Sequence, residues 1–169
     1  VPPFPYLGGK RRVADVIWER FGKVQYYMEP FCGSAAVMLA CPYSIDIEVI
    51  GDMSCHIANF WRATKCLPGE IQKFADYPVS HVDLWARHKW LLSVIPLLEK
   101  RLQDPNWKGN AKAAGWWLWG QSCWFGHGWC QHASMEQFVK NNPFPGRPPR
   151  RDRGTGIHAK GKATANEAG

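Results

Sequence analysis

Residues 26–34 read Tyr-Tyr-Met-Glu-Pro-Phe-Cys-Gly-Ser, and this stretch decides the predicted fold. The pattern predicts a short buried strand that breaks at Glu29-Pro30 into a turn of small residues. A helix is then predicted to begin in the turn and run through residues 35–39. A strand that leads into a glycine-containing turn and a helix N-terminus is typical of α/β proteins that hold an adenosyl ligand at the carboxyl edge of a sheet.

The preceding segment, residues 5–10, reads Pro-Tyr-Leu-Gly-Gly-Lys and leads into a helix that Gly22 ends. The Gly-Gly-Lys run has two interpretations. It could start the helix and leave Lys10 in solvent, which is the commoner use of such residues. Alternatively, a flexible backbone approaches a ligand and Lys10 pairs with a carboxylate.

The following segment predicts a second strand over residues 45–50, which ends at Gly51-Asp52. Asp52 lies 19 positions after Gly33, the spacing at which an acidic residue meets ribose hydroxyls in nucleotide-binding α/β folds. The alternative is that Asp52 or Ser54 caps the predicted helix over residues 55–65. Both roles can hold together, because the cap position and the ligand edge coincide.

The residues of the turn narrow the choice of ligand. A dinucleotide fingerprint needs three glycines around a pyrophosphate, whereas this turn has Gly33 alone, followed by Ser34 and two alanines. A ligand with adenosine and an amino-acid end, and without phosphate, fits better. The sequence therefore predicts S-adenosylmethionine.

The composition predicts a soluble protein of one domain's size: 169 residues, 46% hydrophobic, mean hydropathy −0.35. No apolar run reaches the roughly 18 residues of a membrane span. Six cysteines without a CxxC pair predict reduced thiols in a cytosolic protein. The net charge of +7 predicts a polyanionic partner, most simply nucleic acid. Because the first residue is Val1 rather than Met, we expect a trimmed or incomplete chain.

From Pro68 onward the pattern is helical, with helices predicted over residues 69–77, 80–102 and 111–119 and a kink at Pro96. Most of the ten tryptophans lie between Trp85 and Trp129. They form either a dense core, which composition favours, or a platform on which bases stack. No metal site is expected, because residues 123–132 lack the ligand spacing of zinc sites.

Three regions are predicted: a cofactor-binding α/β half-domain at 1–67, a helical tryptophan-rich region at 68–142 and a basic tail at 143–169. Residues 146–162 hold four arginines, two lysines and one aspartate. This composition predicts a flexible segment that could contact phosphates. The candidate DNA-binding residues are Arg147, Arg150, Arg151, Arg153 and Lys160.

Residues 5–10, residues 27–37 and Gly51-Asp52 together resemble the opening of the Dam-type (D12 class) DNA adenine-N6 methyltransferases, in the same order along the chain. Residues 119–124, 128–130 and 153–158 resemble the phage-borne branch of that family. The resemblance implies a partial Rossmann-like α/β methyltransferase fold with a mainly helical insertion for target recognition. It also implies double-stranded DNA as substrate, S-adenosylmethionine as cofactor, a role in restriction-modification, and a cytoplasmic location in a bacterium or phage-infected cell.

The resemblance also assigns residues to the cofactor site. Lys10 would lie near the cofactor carboxylate, Glu29, Phe31 and Gly33 would form the wall and floor of the methionine and ribose site, and Asp52 would bind ribose. The complete set of predicted cofactor residues is Tyr6, Gly8, Gly9, Lys10, Glu29, Pro30, Phe31, Gly33 and Asp52.

The catalytic residues are unknown, because the Asp-Pro-Pro-Tyr box that holds the flipped adenine in this family is missing. Residues 104–107, Asp-Pro-Asn-Trp, are the nearest approach to it and follow a helix rather than a strand. We therefore expect a truncated methyltransferase, inactive alone, to which a second chain could supply the missing half. The alternatives are a non-catalytic nucleic-acid-binding protein and, with weaker support, a nucleotide-dependent oxidoreductase.

Overall fold

A computed structural model describes residues 2–6, 8–125 and 129–130 of the chain. Within them, two strands form a parallel sheet: β1 (Tyr26–Glu29) pairs with β2 (Ile47–Ile50), with Tyr26 opposite Ile47. Short 3₁₀ helices cover Lys10–Val13 and Met38–Ala40. The α-helices are α1 (Ala14–Phe21), α2 (Cys55–Cys66), α3 (Pro68–Ala75), α4 (His81–Ser93), α5 (Ile95–Leu102) and α6 (Ala111–Cys123). The mixed fold with a small parallel sheet agrees with the predicted α/β class.

The segment after β1 differs from the predicted helix over residues 35–39. It is a run of tight turns that ends in the short 3₁₀ helix Met38–Ala40. Gly33 and Ala35 both have positive φ, of 49° and 50°, which an α-helix cannot contain. Local turn bonds such as Leu39 N to the Ala35 carbonyl hold this backbone, and the Trp18 indole N–H adds a long-range bond to the Val37 carbonyl at 2.7 Å. The prediction was wrong because tertiary contacts override the helical propensity of the alanines.

The predicted long helix over residues 80–102 is two helices. α4 ends at Ser93 and α5 begins at Ile95, with Pro96 in its first turn. Proline has no N–H to donate to the carbonyl four residues earlier, so the bond pattern of α4 cannot continue through it. The predicted kink is therefore a complete break. At the other end of α4, the Ser80 side chain accepts a bond from Asp83 N and caps the helix.

The larger hydrophobic core joins the helical region to the start of the chain. It contains Phe4, Cys32 and Ala35 together with apolar side chains from α2 to α6. The prediction that most of the tryptophans form a core is confirmed: Trp117, Trp119 and Trp129 belong to it, and it is contacted by the partly buried Trp90, Trp107, Trp116 and Trp124. A second, smaller cluster packs Trp18 of α1 against the sheet. All six cysteines are free thiols, as predicted.

One face of the sheet is uncovered, which contradicts the prediction of a buried strand. Tyr26 and Met28 of β1 are 69% and 67% exposed, and their partners Ile47 and Val49 on β2 are also exposed. Tyr27 and Glu29 point to the other face and are buried. Parallel sheets are ordinarily covered on both faces, so four apolar side chains here lie where a layer of structure is usual.

No helix in the described part of the chain is long and apolar enough to cross a membrane.

Candidate functional site

The predicted site residues meet at the carboxyl end of the parallel sheet. β1 leads directly into the turn that holds Gly33, and β2 is followed directly by Gly51-Asp52. Cys32 N donates to the Gly51 carbonyl at 2.9 Å, and Gly51 N donates to the Glu29 carbonyl at 3.0 Å. These backbone bonds extend the contact between the strands past their ends. They bring residues 29–33 beside Asp52.

Asp52 bridges the two segments with both of its carboxylate oxygens. Oδ2 accepts from Gly33 N at 2.9 Å, and Oδ1 accepts from Ser54 N at 3.0 Å. Ser54 is the N-cap residue of α2, but neither it nor Asp52 caps that helix with a side-chain hydrogen bond. The capping interpretation is therefore wrong in detail: Asp52 instead fixes the loop that precedes the helix. A carboxylate has about four acceptor positions, so two of them are available for hydroxyl groups.

Lys10 reaches the same edge from the N-terminal segment. Its Nζ lies 3.1 Å from Glu29 Oε1 and donates to the Phe31 carbonyl at 3.0 Å. Lys10 therefore pairs with a carboxylate of the protein itself, that of Glu29, and its predicted contact with a cofactor carboxylate stays a prediction. An ammonium has three donors, and two are used by described residues. The Lys10 side chain is 43% exposed, whereas that of Glu29 is 6% exposed.

Glu29 is the buried acid of the site. Its second oxygen, Oε2, lies 3.4 Å from both the Tyr27 hydroxyl and Met38 N. Burial and the neighbouring Glu29 raise the pKa of Tyr27 to about 12, so this hydroxyl stays protonated and available as a donor. Glu29 therefore ties the end of β1 to Lys10 and to the 3₁₀ helix after the turn.

Gly33 is enclosed on three sides. Its N–H is held by Asp52, and its carbonyl accepts from the Trp61 indole N–H at 2.9 Å. A Cβ at this position would lie 2.6 Å from Cδ1 of Tyr6. The close approach of the Tyr6 ring and the positive φ explain why glycine is needed here.

Tyr6 places an aromatic ring against this turn. Burial is the main cause that raises the pKa of its hydroxyl, followed by the charges of Asp52 and Cys32. Burial, with Asp52 and Glu29 adding to it, also raises the pKa of the Cys32 thiol to about 11. Cys32 is therefore a neutral thiol at physiological pH and not a thiolate nucleophile.

The remaining predicted cofactor residues lie at the surface around this cluster. Gly8, Gly9, Pro30 and Phe31 are exposed, and Phe31 is 68% exposed. Exposed aromatic and glycine residues beside an ammonium and a carboxylate can receive a ligand that is part apolar and part charged. Sequence reasoning missed Trp61, which lies on α2. No local signal identifies it, because its bond to Gly33 joins residues 28 positions apart.

The predicted DNA-binding residues Arg147, Arg150, Arg151, Arg153 and Lys160 lie outside the described residues, as does the rest of the predicted tail at 143–169. Among the residues that the structure describes, no group of three or more His, Cys, Asp or Glu side chains could hold a metal ion.

The donor set of the site fits S-adenosylmethionine. The third N–H of Lys10 suits a ligand carboxylate, the free acceptor positions of Asp52 suit ribose hydroxyls, and the rings of Tyr6 and Phe31 suit an adenine face. No side chain among these requires a phosphate or a metal ion.

No curated protein and no solved structure matches the chain. Residues 6–87, which include every predicted cofactor residue, match the model of the D12 class N6 adenine-specific DNA methyltransferase family, and this match confirms the resemblance of the sequence to that family and supports a methyltransferase.

Proposed function

We propose that this chain is the cofactor-binding part of an S-adenosylmethionine-dependent DNA methyltransferase that acts on the N6 amine of adenine. The observation that carries the proposal is the Asp52–Gly33 bond, which joins the ends of two adjacent parallel strands. Lys10 bonds to Glu29 and to the Phe31 carbonyl, and the ring of Tyr6 packs on Gly33. The sheet edge therefore presents a carboxylate, an ammonium and an aromatic ring around residues 29–33. The family match over residues 6–87 supports the same function.

Each side chain has a separate task in this proposal. Lys10 binds the carboxylate of the cofactor with its remaining donor and stays fixed by Glu29. Asp52 accepts bonds from ribose hydroxyls while it keeps Gly33 in place. The cofactor supplies the methyl group, and no residue of the described chain is assigned to the transfer itself.

We further propose that the chain does not methylate DNA alone. The sequence contains no Asp-Pro-Pro-Tyr box. The similar Asp104-Pro105-Asn106-Trp107 lies in the loop between α5 and α6, where Asp104 Oδ1 accepts from Asn106 N at 2.9 Å. Because Asp104 follows a helix and closes a turn between two helices, it does not have the position of a box at the end of a buried strand.

A second polypeptide that completes the sheet would supply the missing chemistry. The uncovered face formed by Tyr26, Met28, Ile47 and Val49 supports this proposal. An isolated two-stranded sheet is marginally stable, and further strands with a covering helix would bury these four side chains. The basic segment at 146–162 would contact the phosphates of double-stranded DNA.

Equilibrium dialysis with radiolabelled S-adenosylmethionine tests the cofactor site. Lys10→Met and Asp52→Asn each remove one charge-assisted bond, so we expect affinity to fall roughly ten- to a hundred-fold. Lys65→Met and Asp46→Asn make the same changes at exposed positions and should bind like the wild type. If the wild type does not bind the cofactor, or if all four variants bind equally, the proposed site is wrong.

A methylation assay separates the enzyme from the alternative, a non-catalytic nucleic-acid-binding protein. Cofactor binding without methyl transfer to duplex DNA is the result expected for the chain alone. DNA binding that survives both site variants, with no cofactor binding by the wild type, would favour the alternative. Methyl incorporation into adenine by the chain alone would contradict the proposed need for a second polypeptide.

A further inference from the structure

Arg87 of α4 is a buried cation with no carboxylate partner among the described residues. The residue is 6% exposed. The described ion pairs join Lys10 to Glu29 and Lys73 to Glu70, and Arg87 takes part in neither. Its Nη1 has no hydrogen-bond partner in the part of the chain that the structure describes. Buried charges in proteins are ordinarily paired, so this guanidinium needs an explanation.

Aromatic rings stabilise the Arg87 charge in part. Its Cζ lies 4.3 Å from the centroids of both Tyr77 and Trp119, and 5.1 Å from that of Trp116. The Trp119 indole N–H donates to the Tyr77 carbonyl at 2.9 Å, which fixes two walls of this cage. Ring faces attract a cation but accept no conventional hydrogen bond from Nη1.

Trp116 is a second buried donor in the same cage. Its Nε1, too, finds no hydrogen-bond partner within residues 2–6, 8–125 and 129–130. Tryptophan and arginine are donors only, so neither can satisfy the other. These two unmet donors belong to side chains in contact, with Arg87 Cζ 5.1 Å from the Trp116 ring centroid, and such a pair is complementary to an acceptor with more than one oxygen.

A second cation contacts the Trp116 ring of the cage. Lys112 Nζ lies 4.3 Å from the centroid of the same Trp116 ring. The nearby Cys123 supplies no negative charge, because burial raises its pKa more than Arg87 lowers it. Tyr77 is half exposed, which places the cage next to the surface.

We propose that Arg87 and Trp116, within the cage of Tyr77 and Trp119, form a binding site for one phosphate-type oxyanion. Such an anion accepts from Nη1 and from the indole N–H together, and its charge is balanced by Arg87 and Lys112. Its source is a backbone phosphate of the bound DNA, an assignment that rests on the proposed function. The site lies at the point where the family match ends, and no predicted cofactor or DNA residue belongs to it.

The test titrates the full chain with inorganic phosphate at constant ionic strength, following the melting temperature and the Trp116 indole N–H resonance. We expect a saturable rise in melting temperature and a shift of that resonance. Arg87→Met should reduce phosphate affinity roughly ten- to a hundred-fold. Trp116→Phe keeps an aromatic ring but removes the N–H donor, and it should reduce the affinity by about three- to ten-fold. Arg101→Met removes an exposed arginine and should leave the affinity unchanged.

The absence of a saturable response, or an equal response in Arg87→Met and the wild type, overturns the site. If Arg87→Met does not fold, Trp116→Phe decides the question by the same criterion. Duplex DNA that displaces phosphate in the wild type identifies the backbone as the source, whereas phosphate binding without displacement identifies a free oxyanion. Cofactor dialysis on the same variants keeps the two proposals separate, since loss of the anion site should leave S-adenosylmethionine binding intact.

Discussion

Replacing Gly33 by alanine should destabilise the chain through two separable effects. Gly33 has φ of +49°, and a left-handed conformation costs an alanine about 1–2 kcal/mol. The new Cβ would lie 2.6 Å from Tyr6 Cδ1, so the ring must leave its position. Displacing a side chain about 30° from its rotamer costs about 0.5–1.5 kcal/mol. The expected loss of unfolding free energy is therefore roughly 1.5–3.5 kcal/mol.

Urea unfolding followed by tryptophan fluorescence measures this loss, and a double-mutant cycle separates its parts. In a Tyr6→Ala background the steric part disappears, so Gly33→Ala should cost about 0.5–1.5 kcal/mol less than in the wild type. Gly8→Ala is the control for backbone strain alone, because Gly8 has φ of +77° and open space around its Cβ position. Equal costs of Gly33→Ala in the two backgrounds would refute the packing of Tyr6 on Gly33.

Three further predictions concern the buried part of the chain. Burial lowers the pKa of His88 to about 4 from its usual 6.5. As the pH falls, His88 is therefore protonated in the unfolded chain at a higher pH than in the folded chain, which favours unfolding. Stability should fall by roughly 3 kcal/mol between about pH 6.5 and pH 4, and His88→Phe should flatten this part of the profile measured by urea unfolding. The exposed Cys66 should react with iodoacetamide before the buried Cys32 in the folded protein, and mass spectrometry of the two peptides would show a reversed order if the burial is wrong. Asn59→Leu should cost about 2–4 kcal/mol in urea unfolding, because it removes two bonds to the Asn110 backbone, at 2.7 and 3.1 Å; a cost below 1 kcal/mol, on the same scale, would contradict those bonds.

The order of the site along the chain could be predicted from the sequence. A strand, a glycine turn, a second strand and an acid place Gly33 and Asp52 at one sheet edge, since parallel strands end on the same side. Although Gly33 and Asp52 are 19 positions apart in sequence, Gly33 N donates directly to Asp52 Oδ2 at 2.9 Å. Lys10 could likewise be proposed as a site residue from its glycine neighbours, although its ion-pair partner Glu29 could not be predicted.

The contacts that shape the turn could not be predicted, because they join distant positions. Trp61 lies on a helix and bonds to Gly33 across 28 residues, and Tyr6 packs on the same glycine from the N-terminal segment. Local propensity favoured a helix at residues 35–39, whereas the observed turn has positive φ at both Gly33 and Ala35. The Arg87 cage was missed for the same reason, since its rings come from three separate positions.

The most direct test of the central claim is the backbone amide resonance of Gly33 during a titration with S-adenosylmethionine. Its N–H bonds to Asp52, so a ligand that reaches Asp52 must change this resonance. We predict a saturable shift of the Gly33 amide in the wild type that is weakened in Asp52→Asn, with amides of α5 unmoved in both. A Gly33 resonance that stays constant at saturating cofactor would contradict the proposed site.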